Sequence, residues 1–181
     1  AYNFYDYNYE NEKLILKLLK LENSKFFIKK ENNWINLNNK KNYLHNINRS
    51  SWCHGSLGVG ISRIGALKYT NNNKIKKIIK IDIKNSLEYN FNKVKNLKNI
   101  SLCCGSLSLF TLYDYNNKSK IIKKCNQHIF TNKFLNILDK ELRLNKYDFN
   151  NSFFYGISGI GYNYLRKIDN LDLPDLSLFE I

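Results

Sequence analysis

Three stretches of the chain begin alike: CHGSLGVGISRIGAL, CCGSLSLFTLYDY and FYGISGIGYNYLRKI. Their leading glycines, Gly55, Gly105 and Gly156, lie 50 and then 51 residues apart. A period of that length is one supersecondary unit repeated, long enough for a pair of helices and their connections. Stacked repeats of one unit are therefore the expected architecture.

Each stretch carries apolar residues three and four apart after its glycine, which predicts a helix of about four turns. Ile61, Ile64 and Leu67 form one stripe, and Ile160, Tyr164 and Ile168 another. Longer amphipathic segments lie between, at residues 73–94 and 132–144. In the first, Ile75, Ile79, Ile83, Leu87 and Phe91 recur every four residues, although Ile79-Lys80-Ile81-Asp82-Ile83 alternates as a strand would. KLILKLLKLENS fits a helix with Leu14, Leu18 and Leu21 on one side. Asn-rich runs such as NNNK punctuate these segments as loops. The short helices are apolar nearly all round and are expected inside the array. The fold class read from this pattern is all-α, built of helix pairs. Nothing resembles a domain linker.

The formal charge is +14, and most of the 29 basic residues are lysines. They are scattered, as in KKIIKIDIK, and not gathered beside stacking aromatics. Lys, Asn, Ile, Tyr and Phe are over-used together, the mark of AT-rich codons, so no nucleic-acid partner is expected. No apolar run of about 18 residues occurs, which argues against a transmembrane segment. The start, AYNFYDYNYENEK, is polar and acidic and does not fit a signal peptide. A cytoplasmic location is expected. The chain starts at Ala1 and has no methionine, which suggests a lost initiator or a piece of a longer product.

Four cysteines in such a chain point to metal or thiol chemistry and away from a disulfide framework. Cys53 precedes the first glycine turn, and Cys103 with Cys104 precedes the second. Equivalent turns of neighbouring repeats lie side by side, so three soft thiolates can converge on one point, which suits Zn2+. The N–H groups at a helix start favour the anionic sulfur. Three protein ligands leave a fourth position open, as in a catalytic zinc site. The competing reading is small buried cysteines packed beside glycine turns. Cys125, with His128 three residues on, fits a solvated or half-buried face better than a fourth ligand.

These residues resemble the lanthionine synthetase cyclase (LanC-like) family, most closely the C-terminal cyclase domain of its bifunctional class II enzymes. WCHGSLGVGISRI resembles the first zinc motif, SLCCGSLS the second, and SFFYGISGIGYNYLRKID with LPDLSLFE the closing repeat and terminus. LENSKFFIKKENNWINL resembles the helix and Trp-containing loop that precede the first motif. The resemblance runs from about residue 10 onward. It implies an (α/α) toroid, a double ring of helices. It also implies zinc-dependent addition of a peptide cysteine thiolate to dehydroalanine or dehydrobutyrine, closing a thioether ring in a lanthipeptide precursor.

By the same resemblance Cys53 and Cys103 match the family's two cysteine ligands. Cys104 stands where histidine is usual, the CCG variant. Arg49, four residues before Cys53, matches an arginine near the active site that could stabilise a developing enolate. His54 reads as a supporting or packing residue and His45 as a loop residue. The family's acid/base histidine lies in an HG turn one repeat earlier, and YNFYDYNYE contains neither residue. Residues 1–181 are therefore expected to be the C-terminal part of a LanC-like cyclase domain, about three helix-pair repeats. Earlier repeats and the dehydratase domain would come from the rest of the same enzyme or from a complementing chain. The implied substrate partner is a leader-bearing precursor peptide, and the isolated chain is expected to show little catalysis. A zinc- or peptide-binding remnant without chemistry, or a purely structural repeat scaffold, are the competing functions. An open part-ring would expose faces that its neighbours should cover.

Overall fold

The segment that alternates between helix and strand signals is a helix. The protein was analysed as a computed structural model, which describes residues 9–35, 50–93, 101–103, 105, 107–122, 132, 135, 136, 139, 151–168 and 173–175. Among these, the chain forms α1 (Tyr9–Phe26), a hairpin of β1 (Phe27–Ile28) and β2 (Asn33–Trp34), α2 (Gly55–Leu67), α3 (Asn73–Lys93), α4 (Leu109–Ser119) and α5 (Ile157–Ile168). Among the described residues the fold is all-α apart from this one antiparallel hairpin, which pairs Phe27 with Trp34. Of the predicted helix at 132–144, residues 132, 135, 136 and 139 are helical, and the others lie outside the described residues.

Spacing by four decides α3. Ile75, Ile79, Ile83 and Leu87 are buried, while Ile81, the odd residue of the alternation, is 51% exposed. The Asn72 side chain accepts the Lys74 and Ile75 N–H groups at 2.9 and 3.3 Å and so caps the helix start. α2 packs against α3 through Leu57, Ile61 and Ile64, and α4 completes the core with Leu109, Phe110 and Leu112. Gly60 permits the close approach of α2 to α3. A Cβ there would lie 2.7 Å from the Ser86 Cβ and 3.0 Å from Leu112.

The stripes on α1 and α5 do not both face the core. On α1 the residues turned to the core are Leu19, which is buried, and Leu16, which is partly so. Leu14, Leu18 and Leu21 together form an exposed face. On α5, Ile160 packs on the core but Tyr164 is exposed. The buried place is taken by Asn163, whose amide donates to the Gly159 carbonyl at 3.0 Å and whose Oδ1 accepts from Arg166. Ile157 and Leu165 are exposed as well, so this third short helix is not enclosed all round.

A buried charge cluster joins α1, α2 and α3. Arg63 of α2 donates from Nε to Asp82 of α3 at 3.0 Å and from Nη2 to Glu22 of α1. Asn23 donates to the other Asp82 oxygen at 2.8 Å, and Trp34 Nε1 donates to Asn23 at 2.9 Å. Burial pushes the Asp82 carboxyl above its ordinary value, outweighing the hydrogen bonds from Arg63 and Asn23 and the guanidinium charge.

Tyr89 is buried on α3, and burial, helped by the Glu31 carboxylate, pushes its phenol up to about 12. The unfolded phenol loses its proton near 10, so the native state holds more protons between those values. This contribution is fully present below pH 10 and is lost as pH rises toward about 12. The stability of Tyr89→Phe is therefore expected to fall less steeply across that window than that of the parent, by up to roughly 2–3 kcal/mol. Chemical denaturation at stepped pH measures the difference.

Candidate metal and peptide site

The site grows from how α2 begins. Its N-cap residue, His54, is extended, with φ −148° and ψ 146°, and gives no side-chain cap. Gly55 follows at φ 66°, a conformation that favours glycine. The first N–H groups of the helix are met from a distance. Asn33 Oδ1, in the hairpin, accepts from Ser56 N at 2.7 Å, and Ser50 Oγ accepts from Leu57 N at 2.8 Å. The hairpin is thus a remote cap for α2, with Asn32 held at φ 50° in its turn.

Ser51 and His54 exchange two main-chain hydrogen bonds, of 2.8 and 3.1 Å. This closes a tight loop with Trp52 and Cys53 at its tip. Trp52 N–H donates to the Cys103 carbonyl at 3.0 Å, and Cys103 N–H donates to the Phe154 carbonyl at 2.9 Å. The turns before Gly55, Gly105 and Gly156 are therefore strung together by main-chain bonds, from first to second to third. The side-by-side packing of equivalent turns, expected from the 50-residue period, is what is found.

The two described cysteines meet there. Cys53 is exposed and Cys103 is buried. The Cys53 thiol lies 3.9 Å from the Cys103 carbonyl oxygen and 3.6 Å from Ser51 Oγ. Cys103 Sγ–H donates to the Tyr155 hydroxyl at 3.5 Å. Trp52 packs on Phe154 with ring centroids 5.3 Å apart, which ties the first turn to the third a second time.

Close approach of each helix to its own turn depends on the third residue after the glycine. At Gly58 a Cβ would run into the Trp52 carbonyl, and at Gly159 into the Phe153 carbonyl. In the second repeat Ser108 takes this place and donates its hydroxyl to the equivalent Leu102 carbonyl at 2.5 Å. The same carbonyl is thus touched in all three repeats.

Cys53 opens on a cleft of about 610 Å³. Phe26, Trp34, Ile35, Trp52 and Val59 give it apolar walls, and Glu22, His54 and Ser62 supply polar edges. A surface of this kind suits an extended peptide with apolar side chains. Asn33 was not singled out by sequence reasoning, and Trp34 entered only as the Trp of a loop, because two-residue strands leave no periodic signal. Tyr155 was missed too, although it directly precedes the third glycine, as His54 and Cys104 precede the first two.

Arg49, Cys104, His45, Cys125 and His128 lie outside the described residues. Among the described residues no group of three His, Cys, Asp or Glu side chains converges to hold a metal. The donor set that is described nevertheless fits a soft or borderline divalent ion. Two cysteines sit on adjoining turns joined by the Trp52–Cys103 main-chain bond, and one of them opens on a cleft.

A helical-repeat protein with paired cysteine turns beside an apolar, peptide-sized cleft is what these features define. The chain belongs to the lanthionine synthetase C-like protein family, whose model matches residues 1–178. The family's fold is an α/α toroid, and membership implies lanthionine synthetase-type cyclisation. No curated protein and no solved structure matches the chain. No described helix is long and apolar enough to cross a membrane.

Proposed function

We propose that residues 1–181 act as the C-terminal part of a class II, CCG-type lanthionine cyclase, closing thioether rings in a dehydrated precursor peptide. Zn2+ would be held by Cys53, Cys103 and Cys104. The observation that carries this reading is the main-chain link from Trp52 to Cys103, which sets the turns of Cys53 and Cys103, 50 residues apart in sequence, side by side next to an aromatic cleft. The exposed face of α1 (Leu14, Leu18 and Leu21) and the exposed Ile157 and Leu165 of α5 suit surfaces that other repeats of a toroid would cover.

In the proposed reaction a cysteine sulfur of the peptide adds to the β-carbon of dehydroalanine or dehydrobutyrine. A C–S bond forms, and the α-carbon then takes a proton. Bound zinc would lower the pKa of the peptide thiol, so that the nucleophile is present near neutral pH. The aromatic walls bind apolar parts of the peptide and exclude water from the reacting sulfur. Arg49 is assigned to stabilise negative charge as it develops on the acceptor. A third thiolate at position 104, in place of an imidazole, adds negative charge to the ligand set and favours reactivity over strict selection. Cys104→His is accordingly expected to narrow the substrate range.

The first test is zinc per chain by elemental analysis of monodisperse, folded protein. About one zinc is expected, and Cys53→Ala or Cys103→Ala should reduce it to the background level. A folded protein that takes up no zinc would instead favour the scaffold reading, with cysteines as packing. If zinc is bound but no ring closes when the remaining repeats are supplied, the chain is a non-catalytic remnant.

A further inference from the structure

The third turn carries no cysteine, yet it touches the cysteine of the second turn twice. Its Phe154 carbonyl accepts the Cys103 N–H at 2.9 Å, and its Tyr155 hydroxyl lies 3.5 Å from Cys103 Sγ. Tyr155 holds the place in its repeat that Cys104 holds in the second, directly before the glycine. Tyr155 is 56% exposed, so the hydroxyl is at the sulfur without the ring being locked into the core. The turn beneath it is fixed. Gly156 N donates to the Ser152 carbonyl at 2.8 Å, and Tyr155 N donates to Ser152 Oγ at 3.4 Å.

We propose that Tyr155 is a positioning residue for the metal ligand Cys103: its hydroxyl donates to the Cys103 sulfur once that sulfur is a thiolate. The inference rests on the metal reading above and adds the third repeat to the site. As a thiol, Cys103 is the donor and the tyrosine oxygen accepts. A thiolate has no proton to give, so the direction of the hydrogen bond reverses and the phenol O–H turns to the sulfur. Such a bond fixes the direction of the sulfur lone pairs and moderates charge at a site assigned three anionic ligands. The Phe154 carbonyl holds the backbone of Cys103 while the Tyr155 hydroxyl holds its side chain. A cysteine-free repeat thereby aligns the ligand contributed by its neighbour.

The test is Tyr155→Phe in the full 181-residue chain, which removes the hydroxyl and keeps the ring. Zinc affinity is read by competition with a chromogenic chelator, and cobalt(II) substitution gives a thiolate-to-metal charge-transfer band as a second readout. Zinc binding about tenfold or more weaker, with a shifted cobalt band and an unchanged thermal midpoint, is the expected result. Unchanged affinity and an unchanged band in a parent chain that does bind zinc would overturn the role of Tyr155 alone. A parent chain that binds neither metal would overturn the metal reading, and this inference with it. Should the variant melt early, Tyr155→Trp and Tyr155→Leu separate the hydroxyl from the ring. Weak binding by stable forms of both supports the proposal, and parent-like binding by either removes it.

Discussion

Arg63→Met is expected to destabilise the protein by about 3–5 kcal/mol, because it leaves Asp82 buried without its cationic partner. Asp82 is 2% exposed and would keep the Asn23 amide at its side chain but lose the Arg63 guanidinium. Methionine fills much of the volume, so the loss reports charge and hydrogen bonding more than a cavity. The pH dependence identifies the cause. Asp82 already binds its proton more tightly in the folded chain than in the unfolded one. Its contribution is therefore present below the ordinary carboxylate value and is lost as pH rises through the folded value. Without Arg63 the folded value moves further up. The variant should accordingly lie closest to the parent in acid and fall away toward neutrality. Arg63→Met combined with Asp82→Asn should recover most of the loss, and a denaturant-melt double-mutant cycle measures that coupling. Equal losses at pH 4 and pH 7 would rule out the buried carboxylate as the cause.

Gly159→Ala and Gly58→Ala should each cost about 1–3 kcal/mol, against the usual gain from placing alanine in a helix. The added methyl would sit 3.0 Å from the Phe153 carbonyl carbon in one case and 3.1 Å from the Trp52 carbonyl carbon in the other. Both obstacles are main chain, which cannot swing aside as a side chain does. Gly65 and Gly161 lie in the same two helices with nothing within 4 Å of a built Cβ. Alanine there should stabilise by up to about 1 kcal/mol. Opposite signs within one helix, read from urea midpoints, would separate close approach from helix propensity. Gly58→Ala should also disturb the proposed metal binding, since it displaces the loop that carries Cys53.

The repeat and the meeting of its turns were readable because a fixed period leaves little freedom in what packs beside what. The long stripe of α3 was readable too, since four consecutive four-residue steps outweigh one five-residue alternation. On α1 and α5 spacing shows that a face is apolar and not which neighbour meets it. Leu14, Leu18 and Leu21 do share a face, but Leu16 and Leu19 are the residues turned to the core. The hairpin and its Asn33 cap were beyond reach, since a two-residue strand has no period and the residue it caps is 23 positions away. Arg63 and Asp82 find each other only after α2 and α3 dock. One signal was present and unused. Gly58, Ser108 and Gly159 stand at the same place in the three aligned stretches, and each touches the carbonyl three residues before its own leading glycine.

The turn-to-turn links also bear on the order in which the molecule assembles. Trp52 to Cys103 and Cys103 to Phe154 each join residues 51 positions apart. The α2–α3 pair, by contrast, is joined by the short connection at residues 68–72. Loop closure of that length opposes each link until the intervening helices have docked, so local pairs form first and the turns register late. During synthesis the first cysteine turn leaves the ribosome well before its partners exist. The two cysteine turns therefore adjoin only once the second repeat has been made and has docked against the first.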